Sequence, residues 1–365
     1  MENFSKFLTK DRQKQRNLSD ILRFILDKGS TTRRQIERET GFSWGAVSES
    51  VAELLSRGYI SESMPTEKSV GRTSTVLSAR GDKIASIGLD INTTGITARV
   101  IGFDLVRLWR SAIPFTAKTE EELFTDAIAL CSEAVSFCEG KYKIFSIGIA
   151  IQGKVDTDNG ISMYFPNLPW ESVNVREMFE DRFGVPTTVE HDPKCLLIAK
   201  EHRESFRDAI LLRIDNGIGL SVIQDGKILG DFGRMEIGHT LAVSGGTLCT
   251  CGKRGCLEAY SSIVGIERRL GKSFDAILTD GAPDIFTEAT EHLAVAIYNL
   301  CMLFSPEKII LTGKLSEEAS YTEPLIKRLC ELVSDETDIE IDNNISASFG
   351  AALVSIRAAI KKNNI

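Results

Sequence analysis

The sequence predicts an α/β protein: a small head with the pattern of a winged helix-turn-helix, followed by a body of two lobes. Three observations carry that prediction. The first 80 residues hold three helical patterns followed by two strand-like runs. A strand meander with a long helix and a further strand then occurs twice. The 365 residues, 42% of them hydrophobic, supply core for two or three domains. This composition excludes the disordered and fibrous classes. Formal net charge is −8, from 43 Lys and Arg against 51 Asp and Glu. Residues 1–80 hold 14 basic against 10 acidic side chains, so a mildly basic head precedes an acidic body. No apolar run approaches the roughly 18 residues that span a bilayer, and the charged N-terminus has no signal-peptide core. A cytoplasmic protein with no membrane partner is expected.

Leu18, Ile21, Leu22, Ile25 and Leu26 follow helical spacing, and Gly29 ends this first helix. Thr31 or Thr32 caps a short second helix through Glu39, Gly41 makes a tight turn, and Ser43 caps a third helix from Trp44 to Ser56. On that helix Val47, Val51, Leu54 and Leu55 face inward, which leaves Trp44, Gly45, Ala46, Ser48 and Glu49 outward near its N-terminal end. Gly58 closes the helix, and residues 59–62 and 75–78 pair as strands around a stretch that carries Lys68, Gly71 and Arg72. In a winged helix-turn-helix the outward positions meet base edges. The third helix contains no Lys or Arg, so phosphate anchoring falls to Arg33, Arg34, Arg57 and Arg72. The alternative is a small three-helix domain with no role on DNA.

After the turn at Arg80, Gly81 and Asp82 the body begins. Residues 84–90, 96–101 and 105–113 read as strands, 120–138 as a helix and 143–151 as a strand. The second copy has strands at 209–214, 220–224 and 227–229, a helix at 284–304 and a strand at 308–312. A last helix spans 350–361. The expected division is 1–80 for the head, 83–190 and 191–349 for the lobes, and 350–365 for a helix returning to the first lobe. Residues 63–82, rich in Ser, Thr and Gly, read as wing and hinge, and a cleft between the lobes is the expected ligand site.

The strongest local signal is CTCGKRGCLE at 249–258, with His239 upstream. Cys249, Cys251, Cys256 and His239 complete a tetrahedral zinc set, and with no position left for water the site is expected to be structural. Free or disulfide-linked cysteines are the other reading. Eight cysteines in the whole chain are too sparse for a secreted disulfide framework.

GRMEIGH (233–239) with this cluster resembles the signature of the ROK family of sugar kinases and sugar-responsive repressors. GIAIQGKVD (148–156), FPNLPW (165–170), VPTTVEHD (185–192), LTGKLS (311–316) and GAA (350–352) follow in the family's order. The resemblance implies an actin-like, ribonuclease H-like body of two lobes with a sugar bound in the cleft. It places Asp192 at the family's catalytic aspartate, the base for a sugar hydroxyl. Glu236, His239 and Glu258 fall at residues that hydrogen-bond the sugar, and Gly153 and Asn167 at positions lining the same pocket. The family usually has Asn immediately before the aspartate; here it is His191, either a ligand contact or a structural partner of Asp192.

The phosphate loops separate the family's two activities. The Asp-x-Gly-Gly-Thr loop of its kinases reads DINTT (90–94) here, and the Gly-Thr-Gly loop reads DNG (215–217). Asn92 and Thr93 put side chains where glycines let N–H groups close on phosphate. Asp215 adds a carboxylate near the triphosphate position, about 4 kcal/mol for a like-charge pair at about 4 Å and an effective dielectric of about 20. LTGKLS likewise has Thr312 at the first of two family glycines, while Thr94, Gly217, Gly219 and Gly313 are retained.

These features predict a sugar-responsive transcriptional regulator, most simply a repressor. Its partners are operator DNA and a sugar or sugar phosphate, its cofactor structural zinc rather than Mg-ATP, and the family resemblance implies a homodimer or higher assembly. One alternative is an ATP-dependent sugar kinase with a fused DNA-binding head and Asp192 as its base. A third reading makes the head a protein-interaction module.

Overall fold

The computed structural model describes residues 2–64, 75–166, 168–229, 235–281 and 283–362. By contacts the chain forms two compact units, residues 1–153, 159–190 and 348–365, and residues 154–158 and 191–347.

The first unit opens with three helices, α1 (Glu2–Lys28), α2 (Arg33–Thr40) and α3 (Trp44–Ser56). Helix α1 begins well before the apolar stretch that predicted it. A capping box starts α2: the Thr32 hydroxyl accepts from the Gln35 N–H while the Gln35 side chain accepts from the Thr32 N–H. Gly41, at φ 74°, takes the left-handed conformation that ends the helix. Two residues on, the Ser43 hydroxyl accepts from the Ala46 N–H and starts α3 at the expected residue. Strands β1 (Ser30–Thr31), β2 (Ile60–Ser63) and β3 (Val76–Ala79) pair antiparallel in the order β1-β3-β2. The expected wing tip, with Lys68, Gly71 and Arg72, lies outside the described residues.

Of the 63–82 stretch read as wing and hinge, residues 65–74 lie outside the described residues. Residues 76–79 of that stretch are sheet, and one apolar core runs from Leu18, Ile36, Val51 and Leu54 through Tyr59 to Ile84, Phe103, Phe145, Ile356 and Ile360. Tyr59, Phe103 and Phe145 form an aromatic triangle with centroids 5.0–6.0 Å apart. A continuous core resists swinging, because any rotation there exposes buried apolar surface.

The sheet of this unit contains β4 (Ile84–Asn92), β5 (Gly95–Gly102), β6 (Arg107–Pro114) and β7 (Lys143–Ile151), with helix α4 (Glu120–Cys138) between β6 and β7. Helix α5 (Val175–Phe183) and strand β8 (Thr187–His191) complete it, in the order β8-β7-β4-β5-β6. Strand β6 starts two residues later than expected, because Leu105 sits at φ 65° in a turn whose N–H donates to Gly102 O. The last helix of the chain (Ala347–Lys361) lies across β4 and β7. A Cβ on Gly88 would stand 1.8 Å from Ser348 O, and one on Gly148 would stand 1.9 Å from Ala351 O, so only glycine allows this approach. The far end of the helix meets α1, where the Ser19 hydroxyl donates to Ile360 O at 2.9 Å and Arg357 pairs with Asp27 at 3.2 Å.

The main segment of the second unit, residues 191–347, opens with helix α6 (Asp192–Arg203). It repeats the sheet plan with β9 (Ala209–Ile214), β10 (Ile218–Gln224), β11 (Lys227–Ile228), β12 (Lys308–Thr312) and β13 (Asp338–Ile341), ordered β11-β10-β9-β12-β13. Helices α7 (Pro283–Phe304) and α8 (Ala319–Leu332) bury Leu293, Ile297, Tyr321 and Leu325 against Ile210, Leu212 and Leu311. Lys200, 0% exposed, donates to Glu204, Glu340 and Asp342 at 2.6–3.0 Å, which satisfies all three ammonium protons. Among the described residues no helix is long and apolar enough to cross a membrane.

Candidate functional site

The cysteine segment is held by short bridges rather than regular strands. Leu248 pairs with Arg254 and Leu241 with Cys256, while Gly252 and Gly255, both at φ 82°, make the turns. A Cβ on Gly255 would also stand 1.7 Å from Val243 O. This folding brings His239, Cys249, Cys251 and Cys256 together with all ligand atoms within 4.8 Å of one another. Cys249 Sγ lies 3.8 Å from His239 Nδ1, and Cys251 Sγ lies 3.6 Å from Cys256 Sγ. Four donors about 2.3 Å from a central ion stand about 3.8 Å apart in a tetrahedron, so the donor set fits zinc.

Glu258 joins this cluster to the second phosphate loop. Its Oε1 accepts from the Thr250 hydroxyl at 3.1 Å and lies 4.0 Å from Cys249 Sγ, and its Oε2 accepts from the Ile218 N–H at 3.3 Å. A Cβ on Gly217 would come within 2.6 Å of that same Oε2, which explains a glycine there. Glu236 is exposed, immediately before the short helical turn Ile237–His239.

Asp192 starts helix α6 and is 2% exposed. Arg213, on β9, donates to Asp192 Oδ2 at 2.6 Å and to Asp215 Oδ2 at 3.3 Å. Asp192 Oδ1 is buried without a hydrogen-bond partner among the described residues, with His191 Nε2 3.6 Å away. An orphaned carboxylate oxygen of this kind is an acceptor held ready for a hydroxyl or a water. Asp192, Arg213, Asp215, Gly217 and Glu258 thus form one continuous polar track. Asp215 does not stand as the bare charge expected of it, since Arg213 neutralises it in part; the repulsion assigned to it is an overestimate.

The first loop, in the other unit, closes on itself. Asn92 Oδ1 accepts from the N–H and hydroxyl of Thr94 at 2.8 and 2.5 Å, and Gln152 Oε1 accepts from the N–H and hydroxyl of Thr93 at 2.9 and 3.0 Å. N–H groups that would cradle a phosphate are spent internally. In the second unit Asn343 Oδ1 accepts from the Gly313 N–H and the hydroxyls of Thr312 and Ser316, a tie the sequence does not announce. Gly153, at φ 97°, allows a close approach to Tyr164 O; Asn167 lies outside the described residues.

On the head, Trp44 is 49% exposed at the start of α3, with Gly45 and Glu49 exposed and Ala46 and Ser48 half-buried beside it. Arg34 is exposed. Arg33 is engaged by Glu62 and Thr75, and Arg57 by Glu53, so two of the expected phosphate anchors have intramolecular partners. Lys14 of α1 reaches Glu49 and Glu53 at 3.1 and 3.0 Å and offsets the acidic face of α3.

Two five-stranded sheets of one strand order give the duplicated α/β plan of actin-like proteins. The chain belongs to the ROK family, whose model matches residues 86–353. It is 25% identical over 344 residues to the N-acetylglucosamine repressor of Escherichia coli, covering 87% of this chain and 85% of the relative. It is 28% identical to the glucokinase of Streptomyces coelicolor, covering 64% of this chain and 83% of the relative. Among solved structures, a ROK family transcriptional regulator, a homologue of the E. coli Mlc protein, superposes with a TM-score of 0.79 at 20% identity, over 96% of this chain and 97% of that one.

Proposed function

We propose that this ROK protein is a sugar-responsive transcriptional regulator, a repressor of carbohydrate-utilisation genes that works in the cytoplasm as a homodimer or higher assembly. The observation that carries this reading is the extent of similarity. The repressor and the regulator structure match head and body together, whereas the glucokinase covers 64% of the chain. The head is read as a winged helix-turn-helix with α3 in the major groove. Trp44, Gly45, Ala46, Ser48 and Glu49 would face the bases, and Ser43 and Arg34 the backbone. The effector is read as a sugar or sugar phosphate held by Asp192, Glu236, His239 and Glu258, with His191 next to Asp192.

His239, Cys249, Cys251 and Cys256 would hold a zinc ion whose contribution is to fix the irregular loop that carries Glu258. The kinase alternative keeps one argument, the retention of Asp192. Against it stand the internally closed loop at 92–94 and the engagement of Asp192 by Arg213. The test is thermal stability of the zinc-loaded protein with N-acetylglucosamine, glucose and their phosphates, each with and without Mg-ATP. A ligand at 100 times its dissociation constant adds about 2.7 kcal/mol. Stabilisation by a sugar without response to ATP supports the regulator; stabilisation by ATP with turnover of the sugar restores the kinase.

A further inference from the structure

The antiparallel register of β5 and β6 sets Arg99 directly opposite Arg110. Side chains so paired stand on the same face with Cβ atoms about 5 Å apart, and like charges there are destabilising. The register skips Leu108, placing Arg107 opposite Ile101, two residues on from Arg99 and therefore on the same face. Three guanidinium groups share one surface. None has an ion-pair or hydrogen-bond partner among the described residues, and Arg99 Nε is buried with nothing to receive its hydrogen. On its other side Arg99 faces Gly88, which carries no side chain. Burial, then Arg110 and Arg107, pull the Arg99 guanidinium below its ordinary pKa, a second sign of uncompensated positive charge. Strand β6 is a sheet edge, where exposed arginines discourage edge-to-edge pairing, and this accounts for Arg107 and Arg110. It does not account for Arg99, half-buried on the neighbouring strand.

We propose that Arg99, Arg107 and Arg110 form a binding site for a phosphate oxyanion on this face of the first unit. A phosphate offers several acceptor oxygens and up to two negative charges. It would satisfy the Arg99 Nε–H and cancel the cross-strand repulsion together, with the fork geometry that guanidinium groups give to phosphate. This site involves none of the residues assigned to the sugar or the metal.

The test uses the full chain and inorganic phosphate. Thermal melts at constant ionic strength, phosphate replacing chloride, are expected to show a saturable rise of about 3 °C as phosphate reaches 100 times its dissociation constant. Arg99→Met is expected to melt at or above the wild type in chloride, because it removes the repulsion and the orphaned donor, and to lose the phosphate response. Arg110→Gln, an exposed change that leaves the fold intact, decides the question if Arg99→Met does not fold; it too is expected to lose most of the response. A wild type indifferent to phosphate, or variants that respond as the wild type does, overturns the proposal. Two further arms separate the sources of phosphate. If Arg107→Gln with Arg110→Gln lowers the slope of log affinity against log salt for duplex DNA by about two, the ligand is the DNA backbone. An unchanged slope, with glucose 6-phosphate reproducing the phosphate response, identifies a small phosphate ester.

Discussion

Replacing Arg213 by Met removes the guanidinium and keeps most of its volume, so the change isolates charge from packing. Arg213, Asp192 and Asp215 have side chains only 12%, 2% and 6% exposed, and solvent cannot take over the lost contacts. Without Arg213 two buried carboxylates lose their shared counter-charge, and breaking a buried pair in this way costs about 3–5 kcal/mol. Asp192→Asn is milder, because Arg213 keeps Asp215 at 3.3 Å; about 1–3 kcal/mol is expected from the lost charge-assisted hydrogen bond. Urea denaturation of the four proteins of the cycle reads this directly. With a slope of about 2 kcal/mol/M, Arg213→Met lowers the midpoint by about 2 M. The double variant is expected to be more stable than the sum of the singles by at least about 1 kcal/mol, since the residues touch. A loss below about 1 kcal/mol for Arg213→Met, or strict additivity, refutes the reasoning that Asp192 is held as one end of an ion triad.

Three further expectations rest on other parts of the molecule. Cys256→Ser, or stripping with a chelator, is expected to remove one zinc per chain by metal analysis and to lower the melting temperature, because the 241–256 segment has only short bridges and turns of its own. Gly148→Ala places a Cβ 1.9 Å from Ala351 O, forcing the last helix outward at about 1–3 kcal/mol in a thermal melt. The Glu204 carboxyl is brought down to about 2 by hydrogen bonds from Lys200 and Lys308. Its contribution to stability is therefore complete above its ordinary value of 4.5 and lost as pH falls through about 2. Glu204→Gln is expected to be less stable than the wild type at pH 7, with the difference shrinking between pH 4.5 and 2.

How much of this was legible in the sequence follows from the range of the interactions involved. Helices α3 and α4 and strands β7, β9 and β12 appear at the residues the sequence indicates, because signals such as the Ser43 cap and the apolar run from Ala209 act within a few positions. Helix α8 carries Pro324 in its interior and α6 buries a lysine, so local pattern conceals both. Their support is distant: Lys200 meets Glu340 and Asp342 some 140 residues away. The candidate metal cluster was readable because three of its four donor residues fall within eight positions. Arg213 was not, although a lone charge inside the run Ala209–Ile214 was the available signal: an arginine half-way along a buried strand needs a buried carboxylate. The continuity of head and body through Tyr59 and Phe103 joins residues 44 positions apart and had no local mark.

The central claim, that a sugar bound by the body governs DNA binding by the head, is tested most directly by selecting bound genomic DNA fragments in vitro and titrating the enriched fragment with and without sugar. N-acetylglucosamine and glucose, with their phosphates, are the ligands to begin with. The account predicts an enriched site with two-fold related halves and a change in affinity of about tenfold or more with one of these ligands, abolished by Asp192→Asn. Failure to enrich any DNA, or an affinity that no sugar changes, contradicts it.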